Sequence, residues 1–257
     1  MVSFLSLREF LPVALGAARC IPIGMMLPAF GGPTLPLYVR FGLGLVLLLS
    51  GLPLLVGSPV DDSFPHLLLL FLREVLVGAA MGYVMSLAFK AVEVAGRVSD
   101  ILRGANSLEI NLPLSGERSS PMGAMLLLLA VVVFNRVGGV PYLSLCLYKS
   151  YEALPLAGVI GSGVGTVRLF GIFVLASSKM LTACVMLSAP VLIYSLMTDM
   201  AFFFYGKINA HIPVHFVAMP VKALAGIFAL LVALPSVATS IVDLLRTFLG
   251  MVYHLFG

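Results

Sequence analysis

Residues 20–39, 41–60, 119–135, 180–198 and 223–242 contain no charged side chain. Each is as long, or nearly as long, as the roughly 20 apolar residues that cross a bilayer core. A sixth run, 67–89, is interrupted by charge only at Arg73 and Glu74. Backbone amides in hydrocarbon must find hydrogen-bond partners within the protein, so these runs predict an all-α integral membrane protein with about six hydrophobic segments. Composition agrees, since 61% of the 257 residues are hydrophobic and 10% are charged, with a mean hydropathy of +1.13. A soluble domain carries about 25% charge.

Prolines and charges complicate the first half. Pro28, Gly31, Gly32, Pro33 and Pro36 cut the first run and move its span back to about 10–30. Eight Leu, Ile, Phe and Val residues there contribute roughly −0.3 to −0.6 kcal/mol each to insertion, and Arg19 opposes them by about 2.5–3.5 kcal/mol. With a balance near zero and Pro12, Pro22 and Pro28 added, this segment is expected to depend on neighbouring protein. Arg40, Lys179 and Asp199 lie near segment ends, where snorkelling competes with pairing.

Glu74, Gly78, Gly82, Ser86 and Lys90 recur every fourth residue and share one helix face. Small residues let helix backbones approach closely, and a carboxylate at membrane depth faces protein or water, so this face is expected to contact protein. Arg73 cannot simply neutralise Glu74, because adjacent helical residues point about 100° apart. The intramembrane charges are therefore expected to find counterparts on other polypeptides.

The long polar interval 91–120 has two parts. Glu93, Arg97, Asp100 and Arg103 continue a helical stripe, which predicts a solvated or protein-facing helix. Beyond Gly104, turn-forming residues surround the alternating Leu108, Ile110, Leu112 and Leu114. That pattern suits an ordinary cytoplasmic loop or one folded into a cavity, where irregular backbone is tolerated. Four basic residues between Lys90 and Arg118 place the interval in the cytoplasm and the N-terminus outside. Further segments are expected near 121–148, 167–205 and 216–240, the second broken near Pro190. The tail 241–256 puts Asp243, Thr247, Gly250 and His254 on one stripe of an otherwise apolar helix, suited to the bilayer interface or a partner.

Signals for chemistry are weak. His211 and His215 have i, i+4 spacing, but Pro213 opposes a helix and no Glu lies between them. Gly158, Gly161, Gly163 and Gly165 lack the Lys and Ser/Thr of a phosphate loop. Cys20, Cys146 and Cys184 are scattered in apolar sequence and read as buried hydrophobes. No nucleophile elbow or acid/base pair stands out, and the diffuse net charge of +4 argues against nucleic acid as a partner. The reading is a non-enzyme with no metal or cofactor. Arg8 and Glu9 precede an apolar run that carries Arg19 and no small-residue cleavage site, so that run is read as retained.

Ordered fragments along nearly the whole chain resemble the FliR/SctT family, membrane proteins of the export apparatus in flagellar and virulence type III secretion. They are Arg19 with Pro22 and Pro28, then Pro36 and Arg40; Arg73-Glu74 with Gly78 and Gly82; and Ala95-Gly96 followed by Gly104. Leu112-Pro113-Leu114-Ser115-Gly116 then leads to Ser119-Ser120-Pro121, with Phe134 before Gly138-Gly139 and Ser150 before Pro155. Ala189-Pro190 and Pro220-Val221-Lys222 before Gly226 complete the series. The family usually shows Arg, Pro-Gln and Asn ahead of the Pro-x-Lys element, where this chain has Lys207, Ala210-His211 and Pro213. The pattern favours the virulence (SctT) branch.

The resemblance implies one membrane domain, 1–257, with N-terminal hydrophobic segments at 1–90, a polar helix and plug loop at 91–120, and C-terminal segments with an amphipathic tail at 121–257. It implies bent helical hairpins in a helical export gate, a hetero-oligomer with SctR/FliP-type, SctS/FliQ-type and SctU/FlhB-type subunits in the bacterial inner membrane. That gate sits within the secretion basal body and carries unfolded secretion substrates. By similarity the pore plug is Asn106, Ser107, Leu108, Glu109, Ile110, Asn111, Leu112, Pro113, Leu114, Ser115, Gly116, Glu117, Arg118, Ser119 and Ser120. Helix packing and intramembrane charge fall to Arg19, Arg40, Arg73, Glu74, Gly78, Gly82, Lys207 and Lys222. The residues read alone also admit a small-solute transporter that uses the same charges.

Overall fold

The computed structural model describes residues 7–31, 36–49, 51, 64–104, 120–156, 166–208 and 214–255. Among them every regular element is helical: α1 (Leu7–Met26), a 3-10 turn (Pro28–Phe30), α2 (Leu37–Leu48), α3 (Phe64–Leu102), α4 (Pro121–Arg136), α5 (Gly139–Ala153), α6 (Thr166–Ile208) and α7 (Val214–His254). Three stretches, Pro65–Leu102, Phe170–Ile208 and Phe216–His254, are long and apolar enough to cross a membrane, or four if the α4–α5 pair crosses as one span. At a rise of 1.5 Å per residue, each of α3, α6 and α7 is roughly 60 Å long, about twice the depth of a bilayer core.

Several expectations change here. The predicted break near Pro190 is absent, because α6 runs through it, as α7 runs through Pro220 and Pro235. A proline removes one helix hydrogen bond, but in apolar surroundings no water competes for the remaining ones, so the helix persists. The run predicted near 121–148 is instead two helices, separated where Gly138 takes a left-handed φ of 75°. The helical stripe expected from Glu93 onward holds, as the continuation of α3 to Leu102 with Arg103 just beyond it. The tail belongs to α7, and Leu245, Phe248, Leu249 and Val252 on it are buried.

The chain forms two compact units. The first comprises Met1–Ala88, Phe134–Ser177 and Leu245–Gly257. In it α1 and α2 form an antiparallel pair in glycine contact, a Cβ on Gly24 standing 2.7 Å from the Gly44 Cα. The first half of α3 lies parallel to α1, with Gly78 against Arg19 and Gly82 against Ile23. The end of α7 rests on α5, where Tyr142 and Tyr253 bring their ring centres to 6.3 Å. The tail's expected partner is thus, in part, its own chain.

The second unit comprises Phe89–Val133 and Ser178–Leu244. Here α3 and α4 meet at two glycines, since a Cβ on Gly96 would come 2.5 Å from the Gly123 Cα. Ser195 of α6 donates its hydroxyl to the Leu102 carbonyl at 2.7 Å, which satisfies one of the open carbonyls at the end of α3. A Cβ built on Gly226 of α7 would stand 3.0 Å from the Arg103 Cβ.

Candidate functional site

The first unit buries an ion pair completely. Arg19 and Glu74 side chains are both 0% exposed, and Arg19 Nε donates to Glu74 Oε2 at 2.5 Å. The other guanidinium nitrogens are used as well: Nη1 donates to Ser150 Oγ at 3.0 Å and Nη2 to the Leu154 carbonyl at 3.1 Å. The Tyr151 ring lies beneath, 4.4 Å from the guanidinium carbon, and its hydroxyl donates to the Gly16 carbonyl at 2.9 Å. A planar five-donor group suits such a site because its hydrogens reach several acceptors at once.

Sequence periodicity explains how α1 and α3 come close enough. A Cβ on Gly78, one turn beyond Glu74, would overlap the Arg19 carbonyl oxygen, and a Cβ on Gly82 would stand 3.1 Å from the Ile23 Cα. The same face therefore supplies both the acid and the space. This corrects the expectation that the charge of Arg19 is met by another polypeptide, because an acid 55 residues later in the same chain meets it. Among the described residues Glu74 Oε1 has no hydrogen-bond donor.

The second unit holds another buried carboxylate. Asp100 is 1% exposed. Arg103 Nη2 pairs with its Oδ1 at 2.6 Å, and Ser120 Oγ donates to Oδ2 at 2.5 Å. The Met122 amide also donates to Oδ2, at 3.0 Å. Ser120 Oγ in turn accepts from the Gly123 amide at 3.0 Å, the geometry of an N-cap, with Pro121 at the first helical position. Negative charge at this helix start also complements its dipole.

The remaining charges are less enclosed. Lys222 Nζ pairs with both oxygens of Asp199, at 2.7 and 2.9 Å. Asp199 is thus in an ion pair, where snorkelling was the alternative. Glu93 takes Arg97 at 2.6 Å and Lys90 at 3.4 Å on the exposed side of α3. Arg73 Nη1 donates to the Pro155 carbonyl at 3.4 Å. Lys207 lies 4.9 Å above the Phe203 ring. Arg40 is half-buried on α2, with its carbonyl oxygen against Gly24.

Residues 106–119, which hold all of the expected plug but Ser120, lie outside the described residues, as do His211 and the glycines 158–165. The sequence singles out Ser150, Asp199, Arg19 and Lys222 each, but not as pairs, and it does not single out Tyr151 at all. Asp100 appeared only as part of a stripe, because its partners Ser120 and Met122 lie on another helix. Among the described residues no three His, Cys, Asp or Glu side chains gather as for a metal ion. Chemically, these centres place helices and dispose of charge.

The family described as bacterial export proteins, family 1, matches residues 10–248. Similar proteins come from both secretion and flagellar systems. The secretion system apparatus protein SsaT of Salmonella typhimurium is 26% identical over 236 residues, covering 87% of each chain. The Yop proteins translocation protein T of Yersinia pestis is 26% identical, covering 87% of this chain and 85% of its own. The flagellar biosynthetic protein FliR of Caulobacter vibrioides is 24% identical, covering 98% of this chain and 99% of its own.

Proposed function

We propose that this chain, which belongs to the bacterial export proteins, family 1, is a non-catalytic structural subunit of a type III secretion export gate. With SctR/FliP-type and SctS/FliQ-type subunits, and beside an SctU/FlhB-type subunit, it forms the pore through which unfolded proteins cross the bacterial inner membrane. Residues 1–257 act as one domain of that pore, and residues 106–120 act as its plug.

The observation that carries a hetero-oligomeric gate is the apolar surface of α6. Lys179 and Asp199, both exposed, bracket 19 residues, or roughly 30 Å of helix, which is the depth of one bilayer core. Exposed apolar side chains continue beyond both charges: Phe170, Val174 and Leu175 on one side, and Met200, Phe203, Phe204 and Ile208 on the other. Lipid tails cover the bracketed stretch but not both extensions, and large apolar patches outside lipid mark protein contacts. Partner subunits are the covering this reading supplies.

Co-expression with SctR-type and SctS-type subunits, followed by mass measurement of the purified assembly, tests the proposal. The expected result is a defined complex that contains this chain. A stable, monodisperse lone subunit in detergent, absent from any such complex, sinks it. The plug is tested separately: removal of residues 106–119 should leave assembly intact and make the closed complex leak ions.

A further inference from the structure

Lys179 and Asp199 are the charged residues of α6 between positions 170 and 206, and the chain treats them differently. Asp199 is neutralised by Lys222 of α7. Lys179 is exposed, and among the described residues it meets neither an acid nor a hydrogen-bond acceptor. Its place on the helix is informative. Cys184, Leu187, Val191 and Ser195 form the inward face: all are buried, and Ser195 bonds the Leu102 carbonyl of α3. About half a turn round the helix, Lys179, Met186, Ile193 and Met200 are spaced by sevens, and Leu196 and Phe203 stand three residues after the last two of them. All six are exposed. A surface in lipid needs no such repeat. A helix seam does, because side chains at every seventh residue, and those three beyond, meet one neighbouring helix along its length.

We propose that this outward stripe docks an apolar helix of a partner subunit, and that the partner helix presents an Asp or Glu to Lys179. That the partner is a gate subunit rests on the export-gate reading above; the carboxylate opposite Lys179 is the added element. A lipid phosphate fits less well. One turn before Lys179 the helix exposes Leu175 and Val174, and then Phe170, so a lysine at the headgroups leaves those three side chains in water. A partner helix covers them and brings the counter-charge, while lipid tails keep the flanks of the stripe, such as Leu181 and Val185. A single lysine in an apolar seam fixes the register of the two helices, because any other alignment leaves it desolvated and unpaired.

The test uses the full chain in its purified complex with SctR-type and SctS-type subunits. A membrane-permeant carbodiimide activates a carboxylate, and an amine already in contact with it then forms an amide without any spacer. Peptide mass spectrometry should find Lys179 joined to one Asp or Glu of a partner subunit. Lys179→Arg should assemble like the parent. Lys179→Glu should lower recovery of the complex at least about tenfold, because like charges then face each other out of water. Replacement of the cross-linked partner acid by Lys should restore assembly of Lys179→Glu. Lys179 is exposed within its own chain, so the amount of Lys179→Glu chain in the membrane should match the parent; if that variant does not accumulate, the amide decides.

A complex without an amide at Lys179, or with an amide to an acid of this same chain, overturns the proposal. Assembly of Lys179→Glu at the parent's level overturns it too. A lipid phosphate as the true counter-charge has its own signature: exchange of phosphatidylglycerol for phosphatidylcholine destabilises the parent complex but not Lys179→Met, and that result also overturns the pairing. Should no complex with SctR-type and SctS-type subunits form at all, the export-gate reading fails and the docking partner goes with it. Should the complex form without the amide, the gate reading stands and only this inference fails.

Discussion

The Arg19 and Asp100 centres bury opposite charges for different ends. Arg19 is enclosed with Glu74 where three elements of one unit meet, and its neighbours include a carbonyl and a hydroxyl from α5 and the residue just beyond it. Asp100 is held by donors from its own helix and from the next one, and two of its bonds involve the first residues of α4. The first centre thus ties together helices remote in sequence. The second governs a local junction. A buried ion pair is a weak contributor to net stability but a strong selector of register, because misaligned charges remain desolvated and unpaired.

The largest effect should come from Gly78→Leu. A side chain there must displace the Arg19 backbone, which drives α1 from α3 and breaks the ion pair as well. The expected loss is at least the roughly 3–5 kcal/mol of a broken buried pair, and the variant should fail to co-purify with partner subunits. Normal recovery of the complex would show that α1 and α3 separate at little cost.

Glu74→Ala should rank next, at about 3–5 kcal/mol, because it leaves the Arg19 guanidinium buried without its counter-charge. The double variant Arg19→Met, Glu74→Leu sharpens the point. It should recover most of that loss in thermal stability of the complex, since apolar replacements of buried pairs are often neutral or better. A double variant no better than Glu74→Ala would mean that Ser150 and the Leu154 carbonyl, not the acid, are the essential partners of Arg19.

How far these centres are visible in sequence follows from their geometry. The Glu74, Gly78 and Gly82 face is legible because period four is a property of one helix, and small residues beside an acid have few other uses in an apolar run. Its mate is not legible, because nothing local distinguishes Arg19 from an arginine awaiting an external partner. Ser120-Pro121 reads as a helix start, but the acid that completes the cap lies on the preceding helix. Pro190 misleads for a physical reason, since breaker rules describe chains in water. Gly138 shows the converse: the segment expected near 121–148 passes over it, although Arg136 and the Gly138-Gly139 pair mark the place where the chain takes a positive φ and turns.

Ser120→Ala is the smaller perturbation of the second centre. It removes one bond to Asp100 and the cap on the Gly123 amide, yet it leaves the acid paired with Arg103 and Met122. The expected loss is about 1 kcal/mol, typical of an N-cap serine. Thermal stability of the complex measures it, and a loss as large as that of Glu74→Ala would place the two centres in one energetic class.

Lys222→Ala should matter least to folding. Its partner Asp199 is 52% exposed and Lys222 itself 22%, so the acid keeps much of its solvation and the pair contributes roughly 0–1 kcal/mol. Such a pair differs from both buried centres in one testable respect, namely its response to salt. Raising ionic strength should shrink the difference between Lys222→Ala and the parent, because exposed charges are screened within about 10 Å at 0.1 M. The loss from Glu74→Ala should stay constant over the same range, since ions cannot reach a guanidinium enclosed by protein. Equal salt sensitivity in the two variants would mean that Arg19 and Glu74 are open to solvent in the working assembly, and the contrast between enclosed and exposed charge would then be lost.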